Sequence, residues 1–161
     1  MNNKIVFQNM MNNYILNAIK QKKIRLQNLS NIYREDYNIV LEAVKQDGNE
    51  LRYASKELKD NFNIVLEAIK QNVFTLYYAS NRLKANYEIV ITGIKIDNRI
   101  FLYLIPELQD NENIQLLYIR MGGNYDIINN NNFYNIEDII ISKLAIEGEI
   151  DTIIYPEDDK L

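Results

Sequence analysis

A basic residue stands at every 25th position through most of this chain: Lys20, Lys45, Lys70, Lys95 and Arg120. If the segments between them stack, these cations form a ladder that can hold a phosphate backbone or an acidic helix. A plainer reading carries more weight. Each cation falls at the end of a predicted helix, where positive charge complements the helix dipole. Lys45 and Lys70 also follow Glu42 and Glu67 by three residues, a favourable pair on a helix surface. Tyr53, Tyr78 and Tyr103 form a second column. Tyrosine combines apolar area with a polar tip, so this column either packs between neighbouring segments or lines a groove for a partner. Arg52, Tyr77 and Leu102 precede it and differ from one another, which is where specificity would be set.

Other chemistry is thinly supported. Ser55 and Ser80 are hydroxyl candidates, but the chain has no His, and Lys56 beside Ser55 becomes Asn81 beside Ser80, so no base recurs. A hydroxyl bonded to nearby backbone is the expected role. Glu35-Asp36 lies at a predicted helix start and Asp158-Asp159 in a tail, where acids are ordinary. Gly122-Gly123 lacks the spacing of a phosphate-binding loop. The absence of both Cys and His removes thiol nucleophiles, disulfides, Ser-His triads and ordinary transition-metal sites. No catalytic, cofactor-binding or metal-ligating residue is therefore assigned, and the chain reads as a non-enzyme without cofactors.

The columns exist because the chain repeats itself. Residues 36–59 (DYNIVLEAVKQDGNELRYASKELK) and 61–84 (NFNIVLEAIKQNVFTLYYASNRLK) share 14 of 24 aligned residues at an offset of 25. The same frame extends over 11–35, 86–110 and a degenerate 111–135. Tyr14 heads the column of Ile39, Ile64, Ile89 and Ile114. In the first half of a unit, Tyr37, Val40, Leu41 and Val44 make one helical stripe, with Ile39 and Ala43 widening it and Asn38, Glu42 and Lys45 opposite. Asp36, Asn61, Asn86 and Asn111 are placed as N-caps. In the second half, Leu51, Ala54, Ser55 and Leu58 again follow helical spacing. Asp47-Gly48-Asn49 marks a turn, with Gly48 in the left-handed conformation that ends a helix. Each unit is thus expected to be a hairpin of two helices, each of about ten residues. Such helices are too short to stand alone, so hairpins must stack and share their interiors.

The motif IVLEAVKQDGNELRYASKELKD resembles the repeat of the domain-of-unknown-function 4116 family: an acidic or Asn cap, an apolar run leading to Ala, Asn/Asp-Gly, then Leu-x-x-Ala-Ser-x-x-Leu. Residues 36–60 and 61–85 match well. In 86–110 the second half departs, with Leu104-Ile105 for Ala-Ser and Pro106 intruding; 11–35 matches weakly. The resemblance implies a helical repeat array and no particular chemistry.

The expected fold is all-α: an α-solenoid of tandem 25-residue helical hairpins in one domain, with a helical cap over 136–161 whose helix runs from Ile136 to Glu147. Its expected function is a scaffold surface for an unidentified protein partner. A nucleic acid or other polyanion on the cation column is the alternative, and an uncharacterised enzyme or effector a further one. The net charge of −4 disfavours bulk nucleic-acid binding, although residues 1–34 carry +6 and residues 101–161 carry −9. No apolar run is long enough to cross a membrane and no signal-peptide core is visible, so an intracellular location is expected. A monomer or weak homo-oligomer is anticipated, because residues 1–10 offer a poor cap for the first unit.

Overall fold

The computed structural model describes residues 3–124 together with Ile127 and Ile128. The expected cap over 136–161, and most of the second half of the fifth unit, lie outside the described residues. Within them the fold is all-α, with no strand. Nine α-helices follow one another: α1 (Asn3–Lys20), α2 (Asn31–Arg34), α3 (Tyr37–Gln46), α4 (Lys56–Lys59), α5 (Phe62–Gln71), α6 (Asn81–Lys84), α7 (Tyr87–Ile96), α8 (Pro106–Gln109) and α9 (Glu112–Arg120). None of the described helices is long and apolar enough to cross a membrane.

The first half of each unit is the helix that the sequence pattern requires. Asp36, Asn61, Asn86 and Asn111 cap α3, α5, α7 and α9, each accepting a hydrogen bond from the backbone N–H three residues on, at 3.1 to 3.2 Å. Such caps satisfy donors that a helix start leaves open and contribute about 1 kcal/mol each. The long helices pack in sequence, α1 on α3, α3 on α5, α5 on α7 and α7 on α9. Ile39, Val40, Ala43 and Val44 are buried in α3, and the equivalent residues are buried in α5 and α7. One continuous apolar cluster runs from Ile15 to Ile128 through every unit.

The second half of the first four units differs from the expected helix. In the second to fourth it is a six-residue 3-10 turn, Gly48–Tyr53, Val73–Tyr78 or Asn98–Tyr103, followed by two extended residues and then the four-residue helix α4, α6 or α8; in the first the turn is shorter, Leu26–Asn28, and leads to α2. Runs of 3-10 helix this long are uncommon, and here the cause recurs three times. Asp47, Asn72 and Asp97 take an extended backbone, and each side chain accepts from the N–H two residues on, at 3.0 to 3.1 Å. That bond sets the start of the turn. At its other end, Ser55 and Ser80 accept from the N–H of Leu58 and Leu83 and so start α4 and α6. The N–H groups of Ser55 and Ser80 meanwhile donate to the carbonyls of Arg34 and Lys59, the last residues of the preceding short helices, at 3.0 Å. Orphan carbonyls at one helix end are thereby used to tie neighbouring units together. Pro106 does not disturb this arrangement. It is the first residue of α8, where its missing N–H has no intrahelical partner to lose.

Gly48 is also a correction. It is not left-handed; among the described residues only Lys22 and Gly122 have positive φ, at 55° and 79°. A Cβ on Gly48 would lie 2.4 Å from the Ala68 carbonyl oxygen, so glycine is needed for the close approach of the turn to α5. Lys22 and Gly122 occupy the column of Asp47, Asn72 and Asp97. Where that side-chain cap is missing, at the two ends of the array, the helix ends differently. The N–H groups of Lys22 and Lys23 bond back to Ile19 and Ala18, and those of Gly122 and Gly123 to Ile119 and Tyr118. This is the left-handed Schellman ending.

Candidate partner-binding groove

The 3-10 turns decide which side chains reach solvent. Three residues per turn put positions i and i+3 in register. In Val73–Tyr78 the third and fourth residues, Thr75 and Leu76, are buried in the core, while Tyr77 faces solvent and Phe74 is half-buried. The next turn does the same, with Ile100 and Phe101 buried and Arg99 and Leu102 outside.

Two consecutive turns and α6 enclose an open groove of about 720 Å³. Phe74, Tyr77, Tyr78 and Tyr103 give it an aromatic lining, Leu104 and Ile105 its apolar floor, and Asn81 and Lys84 a polar side. Phe74 meets Tyr103 edge to face at 5.4 Å between ring centroids, and Tyr77 meets Tyr78 in the same way at 5.4 Å. Tyr77 and Tyr103 are nevertheless 76% and 72% exposed. Cations sit on these rings. The Lys84 Nζ is 5.3 Å from the Tyr77 centroid, and the Arg52 guanidinium spans two units, 4.9 Å from Tyr53 and 5.9 Å from Tyr78. Arg99 lies 5.6 Å from Phe74 and also pairs with Asp97, whose carboxyl is held below the usual range chiefly by that bond.

The tyrosine column is therefore divided. Tyr78 and Tyr103 line the groove. Tyr53 is half-buried, and its hydroxyl donates to Gln27 at 2.8 Å, joining the first two units. Of the variable column, Tyr77 lines the groove, Arg52 reaches its aromatic edge through Tyr78, and Leu102 is exposed outside it. The cations Lys20, Lys45, Lys70, Lys95 and Arg120 are all exposed, in the last turns of α1, α3, α5, α7 and α9, away from the groove. Lys70 is bonded to Glu67 at 2.7 Å, whereas Glu42 accepts from Gln46. Phe74, Asn81 and Lys84 are groove residues that the helical reading passes over. Phe74 stands where the neighbouring units have Asn49 and Arg99, so no recurring column marks it.

A second cavity, about 250 Å³, lies between the first two units beside Glu50. Glu50 is only 5% exposed, and its carboxylate accepts from the Leu26 N–H at 2.8 Å with Arg25 3.9 Å away. Burial pushes its pKa up, against the opposing effects of that hydrogen bond and of Arg25. The column places Thr75 and Ile100 at the same depth, so this acid bridges two units rather than forming a reactive pair. No cluster of three or more acidic, His or Cys side chains suited to a metal occurs among the described residues.

The profile of a domain of unknown function, DUF4116, matches residues 13–59 and again 61–109. This chain belongs to the DUF4116 family. Each matched segment covers two of the 25-residue units, so the family's domain is a pair of units, and the groove lies within the second match. No curated protein and no solved structure matches the chain.

Proposed function

We propose that this DUF4116 chain is a non-catalytic scaffold that captures a protein partner in the aromatic groove between its third and fourth units. The observation that carries this reading is the exposure of the Tyr77 and Tyr103 rings in a concave site. Aromatic rings with polar tips are the residues that dominate binding energy at interfaces, and leaving two of them in water costs solubility without helping the fold. Lys84 and Arg52 at the edges give the site a positive rim, which favours an acidic segment in the partner. A non-catalytic role is supported by a sequence without His or Cys and by the two serines being used as helix caps. The polyanion alternative draws less support, because Lys70 is already bonded to Glu67 and the chain is net acidic.

The test is affinity capture from native-host extract with the wild-type chain, a Tyr77→Ala/Tyr103→Ala double variant and a Tyr53→Ala variant. Proteins retained by the wild type and by Tyr53→Ala, but released by the double variant, are the expected result. Retention that survives the double variant, or that vanishes with modest salt together with nucleic acid, would overturn the reading.

A further inference from the structure

Helix α1 differs from the other long helices. It has 18 residues, against 10 in each of α3, α5 and α7. Its second half takes its place in the array, yet one residue there is anomalous. Ile39, Ile64, Ile89 and Ile114 are at most 1% exposed, whereas Tyr14 in the same column is 64% exposed. The cause is what stands in front of each. Ile39 shares a cleft with Asn9, Asn12, Asn13 and Leu16 of α1, so this column faces the long helix of the preceding unit. Nothing among the described residues stands in front of α1. Tyr14 thus marks the same stacking surface, left open.

That surface continues along α1 with Met10, 66% exposed, and Phe7, 64% exposed, and ends in exposed Asn3 and Asn17. The spacing 3, 7, 10, 14, 17 alternates four and three, the rhythm of a seam between two helices packed side by side. The seam holds no charge. It also reads the same in both directions about Met10: Asn, aromatic, Met, aromatic, Asn. A two-fold interface requires a surface complementary to itself, and this order supplies it for two antiparallel copies of α1. Phe7 of each copy would meet Tyr14 of the other, the two Met10 side chains would meet on the axis, and Asn3 would face Asn17, a polar pair that fixes register.

We infer that the chain forms a two-fold dimer through antiparallel pairing of α1, with Phe7, Met10 and Tyr14 as the seam. The occupant is a second copy because the surface continues the stacking used between units, and because its palindromic order fits the same helix reversed.

The chain contains no Cys, so a single introduced thiol reports geometry cleanly. Sedimentation equilibrium of the wild type from low micromolar to hundreds of micromolar should show a reversible dimer. Met10→Glu, on an exposed position, should leave the circular dichroism unchanged and weaken association at least about 100-fold. Mild oxidation should link Met10→Cys into a species of twice the mass, while the off-seam variant Lys20→Cys, also at an exposed position, stays unlinked. A wild type that is monomeric throughout, a Met10→Glu chain that still dimerises, or a Met10→Cys chain that fails to link would each overturn the proposal.

Discussion

Replacing Gly48 by Ala and Gly93 by Ala should move stability in opposite directions. Neither glycine has a positive φ, so the difference comes from space alone. At Gly48 the new Cβ would fall 2.4 Å from the Ala68 carbonyl oxygen and 3.2 Å from the Gln71 Cβ. The carbonyl belongs to the α5 backbone and already accepts from the Asn72 N–H at 3.0 Å. It cannot rotate away as a side-chain tip would. The turn and α5 must separate, which strains the junction between the second and third units. Overpacking of this kind costs about 1–3 kcal/mol, and contact with backbone puts the expected value in the upper half, about 2–3 kcal/mol. For a chain of this size that lowers Tm by roughly 5–10 °C. At Gly93, inside α7, the new Cβ would lie 3.6 Å from Ile100 Cγ2, an ordinary contact. Alanine there removes a helix penalty of about 0.5–1 kcal/mol and should raise Tm by roughly 1–4 °C. Thermal melts followed by far-ultraviolet circular dichroism, with urea titrations to obtain free energies, measure both. Two shifts of the same sign, or a neutral Gly48→Ala, would refute the close approach of the turn to α5.

Glu50 gives a pH-dependent prediction. Its folded pKa lies above the ordinary glutamate value of 4.5, chiefly through burial, so the fold holds its proton more tightly than the unfolded chain does. Its contribution is therefore complete at pH below 4.5 and declines as pH rises from there through the raised value. Glu50→Gln keeps an acceptor for the Leu26 N–H without the charge, and should gain on the wild type between about pH 4 and pH 7 in urea titrations. Glu50→Ala strands that N–H and should cost about 1–3 kcal/mol at either pH. Lys22 holds a left-handed backbone with φ of 55°, so Lys22→Gly should stabilise by about 0.5–1 kcal/mol, read as a raised urea midpoint, and Lys22→Val should lower it.

The helices α3, α5, α7 and α9 were legible because cap and stripe agree: Asn61 opens α5, and Ile64, Val65, Ala68 and Ile69 are its buried face. The 3-10 turns were not, for a physical reason. Residues three apart share a face in both helix types, so Leu51 and Ala54 fit either. The decision rests with the Asp47 side chain, which bonds the Asn49 N–H and commits the chain to the tighter turn before an α-helix can start. Part of the groove carried no repeat signal, since Phe74 stands where the neighbouring units have Asn49 and Arg99. The tyrosine column was visible as a column; that Tyr53 is tied to Gln27 while Tyr103 is open depends on what neighbours each unit. No pattern of spacing singles out Glu50. Its burial follows from the need of the Leu26 N–H for an acceptor across the unit boundary, a demand that no local pattern reveals.

All of this depends on units that complete one another's interiors. Helicity per residue in fragments 36–60, 36–85 and 36–110, measured by circular dichroism at equal residue concentration, addresses that most directly. The expected result is a coil-like spectrum for 36–60, a partial gain for 36–85 and near-native helicity for 36–110, a rise steeper than the number of units. A 36–60 peptide that already shows full helicity and melts cooperatively would contradict it.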